Sequence, residues 1–386
     1  MATPSVRVNT FLQWKEKPFI DKLSKFYIVA EMVLGLNRLP LVICNMRFFY
    51  LPLMISYSLL LIVTIIFSTI YTYDTRYVAV VVVMNMCEYI FAIIFNFITW
   101  KRMQRFYIEL STFDAEVGCR PKVTRGSIGN LVQTLILLLL FGVFYIMSFS
   151  MDNWNDLLLP LVPVNLIHAM EVHYYGHLLS LLIPRLRLLN YYAESTLSND
   201  KAIAAPKVEE FVYFKYNNIT NGQMKKLMDL YHIIIKAYDY MVEAIKWQLL
   251  VIIITSFISI LAFCYSISIT IICNTDPLMD VISDMGLTIG QMIPLFSPCM
   301  FSDKVHNEVR RLRELLASRL YENKLDKSSR STARALLALT EARDLSFSLL
   351  RMLEIDISLP FKFIGLLITY LIILLQFEKV INPDPQ

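Results

Sequence analysis

Five polar side chains lie within one otherwise apolar run: Asn165, His168, Glu171, His173 and His177. An ionisable group in hydrocarbon costs at least a few kcal/mol, so such residues mark ion paths, proton relays or ligand contacts unless neighbouring helices satisfy them. His173 and His177 stand four apart, a separation that metal ligands use on one helical face. No HExxH motif accompanies them, so they are read as structural, with polar tips that meet water near the inner end of the run. Glu88 sits eleven residues from the outer end of another run, near the membrane midplane. A ligand arriving from outside meets the outer halves of the runs. These offer Tyr145 and Ser148, Asn165 and His168, Tyr265 and Ser268, and then Asp284, Thr288 and Gln291. With Glu88, this set is the expected ligand-binding lining, because small-molecule pockets combine aromatic faces with a few hydrogen-bonding groups. For each residue, a bond to a neighbouring helix is the alternative. Nothing resembles a catalytic constellation, so no enzyme activity, cofactor or metal site is expected.

A membrane bundle must position these groups. The chain has 386 residues, 56% of them apolar and 18% charged, a balance far from the soluble average. Seven runs approach the ~20 residues that cross a bilayer. They are Phe48 to Tyr71, Tyr77 to Trp100, Leu131 to Met151, Leu157 to Leu182, Leu249 to Cys273, Asp280 to Phe301 and Ser358 to Phe377. The sixth is broken by Pro294 and Pro298. Residues 18–46, interrupted by Glu31, Asn37, Arg38 and Pro40, read as an interfacial or bundle-packed helix. No cleavable signal peptide is read in residues 1–25, where charges interrupt the apolar residues.

Basic residues set the orientation. Of the 36 Lys and Arg, 33 fall in residues 1–47, 101–128, 183–246 and 302–357, which are therefore cytoplasmic. The fold class is an all-α membrane protein of seven transmembrane helices, with a cytoplasmic N-terminus, an extracellular C-terminus and long cytoplasmic helical extensions. Its parts are a cytoplasmic or interfacial segment (1–47), spans one to four (48–182), a cytoplasmic helical extension (183–246), spans five and six (247–301), a cytoplasmic helical anchor (302–357), and span seven with an extracellular tail (358–386). Leu227, Leu230, Tyr231, Ile234, Ile235, Tyr238, Met241, Val242 and Ile245 form an apolar stripe leading into span five. Val305, Val309, Leu312, Leu315, Leu316 and Leu320 extend span six inward. Leu336, Leu337, Leu345, Leu349, Leu350 and Leu353 form a third helical stripe before span seven. These helices pack within a subunit, between subunits or against a partner. Residues 194–210 and 322–332 read as loose polar links. The outer tips carry Asp74, Asp152, Asp156, Asp276 and Asp280, which attract cations or simply solvate loops. Six cysteines show no CxxC, only Cys273 lies near the outer surface, and no extracellular disulfide is expected. The single glycosylation triplet, at Asn218, falls on the cytoplasmic side and is unused. Nothing points to nucleic-acid binding.

Span seven carries Thr369, Tyr370 and Gln376, and Thr369 and Gln376 are seven apart on nearly one stripe. An unpartnered amide in hydrocarbon costs several kcal/mol. The stripe therefore faces a water-filled path shared between subunits, or bonds a neighbouring helix inside a closed bundle. Thr369-Tyr370, five apolar residues, then Gln376-Phe377 match the signature TYhhhhhQF. On that motif, placed at the chain end after six other spans, the sequence resembles the insect gustatory receptors. Pro298-Cys299 at the inner end of span six also looks like that family. The resemblance implies a taste receptor of the bitter or sugar-sensing type, a ligand-gated nonselective cation channel. It implies a homotetramer, or a heteromer with related receptors, joined by a cytoplasmic anchor and set among membrane lipids. The last helix would line the pore, with Thr369, Ile372, Ile373, Gln376 and Phe377 at the pore and gate. The partners would be a small-molecule tastant and permeating Na⁺, K⁺ and Ca²⁺, at the plasma membrane of chemosensory neurons. Span six lacks tryptophan and tyrosine, the platforms on which sugars stack, which favours a bitter plant compound over a sugar such as fructose. A G-protein-coupled receptor is opposed by the extracellular C-terminus and the lack of DRY-type and NPxxY motifs. A secondary transporter is opposed by the lack of an internal repeat and of paired broken helices.

Overall fold

The computed structural model describes residues 22–33, 36, 55–60, 62–63, 66, 76–121, 128–129, 131–136, 139, 143, 161–197, 211–213, 223–273, 278–322, 327–350 and 352–381. Its helices are α1 (Lys22–Val33), α2 (Arg76–Val117), α3 (Leu161–Leu197), α4 (Gln223–Cys273), α5 (Leu278–Tyr321), α6 (Lys327–Ala342) and α7 (Leu359–Ile381). Expected spans one and three fall largely outside the described residues. Among the described residues, Val83–Val117, Met224–Ile269 and Leu359–Phe377 are long and apolar enough to cross a membrane.

The long helices outrun the bilayer. α4 has 51 residues, about 77 Å of helix against a hydrocarbon core of about 30 Å. α2 continues past Trp100 to Val117, and α3 continues past Leu182 to Leu197. α5 carries Pro294 and Pro298 without a break, which corrects the expected interruption of span six. Membrane helices tolerate proline where packed neighbours re-satisfy the freed backbone groups, and α5 is packed along α3 and against α4.

The stripes expected on the cytoplasmic side bury themselves inside one chain. Leu227, Leu230, Tyr231, Ile234, Ile235, Tyr238, Met241 and Ile245 of α4 are buried, and Val242 is half-buried. Val305, Val309, Leu312 and Leu316 of α5 are buried too, with Leu315 and Leu320 half-buried. α2 lies along α4, and α3 lies along α5. α1 packs on α3 as a bundle helix, with Ser24, Tyr27, Ile28 and Glu31 buried.

The third stripe is not one helix. α6 stops at Ala342, and Leu345 (φ 46°) and Leu350 (φ 54°) are left-handed. A right-handed helix cannot pass through such residues. The chain instead forms β3 (Ser348–Leu349) against β4 (Leu353–Glu354), closed by Ile355 N donating to Phe347 O at 2.8 Å. Leu345 and Leu349 point inward, whereas Leu350 is exposed. Asp356 then caps α7, accepting from Leu359 N at 3.0 Å and satisfying an amide that a helix start leaves open. A second ladder pairs β1 (Cys119–Pro121) antiparallel with β2 (Phe211–Tyr213), so the fold is nearly, not wholly, helical. The expected loose links are shorter than read: residues 194–197 belong to α3 and 327–332 to α6.

Candidate functional site

The polar residues of the sequence meet along the seam of α2, α3 and α4. Glu88 of α2 bonds His168 of α3, Oε1 to Nδ1, at 2.7 Å. Thr255 of α4 donates to Glu88 Oε2 at 2.5 Å, and Ser256 Oγ lies 3.4 Å from His168 Nε2. The backbone of Gln291 brings α5 to the same imidazole. Glu88 is 4% exposed and His168 5%, so four helices close around this group. A second tier follows: Glu171 Oε1 accepts from Gln248 Nε2 at 2.5 Å and from Asn96 Nδ2 at 3.5 Å. Beside it, His177 Nε2 meets Ser24 Oγ at 2.9 Å, and its ring stacks on Tyr27 with centroids 5.3 Å apart. A third tier pairs Arg185 with Asp114 through two bonds, Nε to Oδ1 at 2.9 Å and Nη2 to Oδ2 at 2.7 Å.

Two expectations change. His173 and His177 are fully buried and do not reach water. Glu88 and His168 bond each other within a packed seam rather than standing at an open cavity. Buried charges are retained when paired and hydrogen-bonded, so these tiers fix how the helices sit on one another. Of the other expected ligand residues, Gln291 is buried, and its side-chain oxygen has no hydrogen-bond partner among the described residues. Tyr265 is buried, Thr288 is half-buried, and Ser268 donates to Cys264 O of its own helix at 2.7 Å. Tyr145 and Ser148 lie outside the described residues, as do the side chains of Asn165 and Asp284. Asp114 and Arg185 were missed by sequence reasoning. Their only signal is one acid and one base, each just past the C-terminal end of its expected span, on helices that continue beyond that span.

α7 presents the opposite character. Thr369, Ile372, Ile373, Gln376 and Phe377 are all exposed on the single chain. Thr369 Oγ1 donates to Gly365 O of its own helix, at 3.0 Å. Gln376 has no partner among the described residues. The signature tyrosine has a different role: Tyr370 meets Phe257 of α4 edge-on, at 5.8 Å between ring centroids, beside Phe363 at 5.4 Å from the same ring. These two contacts dock one side of α7 on α4.

Residues 30–381 match the 7tm chemosensory receptor family. The chain belongs to that family. It is a chemosensory receptor and not an enzyme. The receptor is similar in fold to the insect olfactory receptor OR5 from Machilis hrabei, with a TM-score of 0.62 at 14% identity over 92% of this chain and 97% of that one. It is equally similar to OR5 in complex with eugenol, with a TM-score of 0.63 at 15% identity over 92% of this chain and 98% of the other. No curated protein matches the receptor's sequence.

Proposed function

We propose that the receptor is a gustatory, ligand-gated nonselective cation channel, with the N-terminus in the cytoplasm and α7 of four subunits lining one pore. One observation carries this reading: α7 is exposed along its polar stripe, and Gln376 has no hydrogen-bond partner among the described residues. A lone amide facing lipid costs several kcal/mol, whereas an amide facing a water-filled axis costs little. If α7 enters at Ser358, Gln376 stands about 27 Å further along, beside the outer mouth. Four copies would set Ile372 and Ile373 as apolar rings below four amides. Such rings gate by dewetting, and an amide replaces part of an ion's water shell without fixed charge. Little discrimination among Na⁺, K⁺ and Ca²⁺ follows.

The ligand enters among the outer halves of the helices, near Tyr265, Thr288 and Gln291, and opens the channel only by as much as it prefers the open state. Movement of α4 reaches α7 through Phe257 against Tyr370 and Phe363. A small, largely apolar plant compound fits better than a sugar, and the eugenol complex of the similar OR5 structure supports this. The cell would be a chemosensory neuron, with the receptor in its plasma membrane. The test is current in excised patches bathed without GTP, from cells expressing this chain alone. Ligand-evoked unitary currents support the reading. Responses that require GTP, or saturable uptake without unitary events, refute it.

A further inference from the structure

The outer face of α2 changes character within one turn. From Val83 to Ile98 its exposed residues are all apolar, with Ile94 47%, Phe97 58% and Ile98 62% exposed. The next three exposed residues are Lys101, Arg102 and Arg105, all cations. At about 100° per residue, the apolar and cationic positions fall on one arc of about 140°, so they form a single outward stripe. α4 changes at the same depth. The two helices run antiparallel, with Glu88 at Thr255, Arg102 at Glu243 and Arg105 over the Tyr240 ring. Trp247 and Ile98 therefore stand level, each four residues to the apolar side of the Arg102–Glu243 contact, and Trp247 is 42% exposed. Trp100 follows on α2, with Lys101 Nζ 5.7 Å from its ring centroid. Tryptophan beside lysine and arginine marks the boundary between acyl chains and headgroups.

We infer that this outer face of α2 and α4 binds the headgroup of an anionic membrane phospholipid, with its phosphate at Lys101 and Arg105 and its acyl chains along Phe97, Ile98 and Trp247. Lys101 and Arg105 are four apart on one stripe, about 6 Å along the axis, so both reach one phosphate. That band matches the depth of a headgroup layer, about 5–8 Å. Arg102 is taken up by Glu243, Nε to Oε2 at 3.4 Å, and Glu109 lies under the charge of Lys236 and His232 of α4. Among the described residues, neither Lys101 nor Arg105 has a carboxylate partner. Both rest beside aromatic rings, which steady the chains and leave their N–H groups for an anion. Two unpaired cations favour a headgroup of net negative charge over a zwitterion. Naming this the inner leaflet rests on the orientation proposed above. Such a lipid would hold α4 at one depth, and α4 carries Phe257, on which α7 docks.

The test uses the purified full-length receptor in nanodiscs whose two faces carry the same lipids. The probe is phosphatidylserine with a diazirine near the top of its acyl chain, and phosphatidylcholine with the same chain is the comparison. Cross-links are expected in the peptides spanning 97–105 and 243–250, with phosphatidylserine preferred. Lys101→Gln and Arg105→Gln should each lower phosphatidylserine labelling about fivefold and leave phosphatidylcholine labelling as it was. Lys101→Arg should retain the preference. All these side chains are exposed, and elution volume checks that each variant is folded. Lys327→Gln removes an exposed cation from α6 and should change nothing. Equal labelling of the two peptides by the two lipids overturns the proposal. So does a loss in Lys327→Gln as large as in Lys101→Gln, which would mean that net charge alone attracts the lipid. Peptides that label only before subunits assemble overturn it too, because a second copy then covers this face. Labelling in such nanodiscs is independent of orientation. An intracellular C-terminal tag would leave the cross-links intact and overturn the inner-leaflet assignment alone.

Discussion

Arg185→Met tests the seam at its most sharply defined contact. Arg185 and Asp114 have side chains only 7% and 3% exposed, and they share two bonds. Removing one partner leaves the other charge buried and uncompensated, which costs about 3–5 kcal/mol. Asp114→Leu should cost a similar amount for the same reason. The double variant removes both charges from the interior. Replacing a whole buried pair with apolar residues of similar size is often neutral or better, so the double should recover most of the loss. Recovery should fall about 1 kcal/mol short, because Arg185 Nη1 also donates to Leu181 O. The assay is thermal melting of purified receptor, with surface expression in parallel. Both single variants should melt well below the parent, and the double close to it. Singles that melt with the parent would mean the pair is not buried as described. A double as unstable as the summed singles would mean that the two residues do not act on each other.

Glu88→Gln keeps the shape but weakens the bonds to His168 and Thr255, each worth about 1.5–3 kcal/mol when charge-assisted; the ligand dose–response should shift tenfold or more, and an unchanged curve would show that the upper tier plays no part in gating. Leu349 is 1% exposed and Met352 88% exposed, so Leu349→Asp should destabilise the subunit itself, whereas Met352→Asp should leave melting intact and lower the tetramer fraction on native gels; the reverse pattern would overturn the division between core and assembly surface. An epitope tag after Gln386 should be labelled on intact cells, and labelling only after permeabilisation would invert the orientation.

The long stripes on α4 and α5 were legible because a repeat of three and four states which face is buried, whatever covers it. What covers it was not legible: the stripes close within the subunit, and pairings between α2 and α4 cross more than a hundred residues of chain. The third stripe misled because apolar spacing alone does not report φ. Leu345 and Leu350 turn left-handed, and nothing in a leucine forecasts that. Prolines misled in the other direction, since α5 stays helical through Pro294 and Pro298. Glu88 and His168 were found because charge in an apolar run is conspicuous, but a packed pair and a ligand contact carry the same sequence signal. Asp114 and Arg185 were invisible for the opposite reason, as single charges beyond the expected spans, where charge is ordinary. The polar stripe of α7 was legible as a pattern, and its residues are exposed on the single chain; what they face was not legible, because a lone chain does not show what covers them.

The central claim is that α7 lines the pore, and Gln376→Ala in single-channel recording tests it most directly. If four amides cap the apolar rings, their loss changes unitary conductance, the relative permeability of Na⁺, K⁺ and Ca²⁺, or basal opening, while surface expression stays at the parental level. If Gln376→Ala reaches the surface and matches the parent in all three, Gln376 does not face the ion path, and the pore assignment of α7 is wrong.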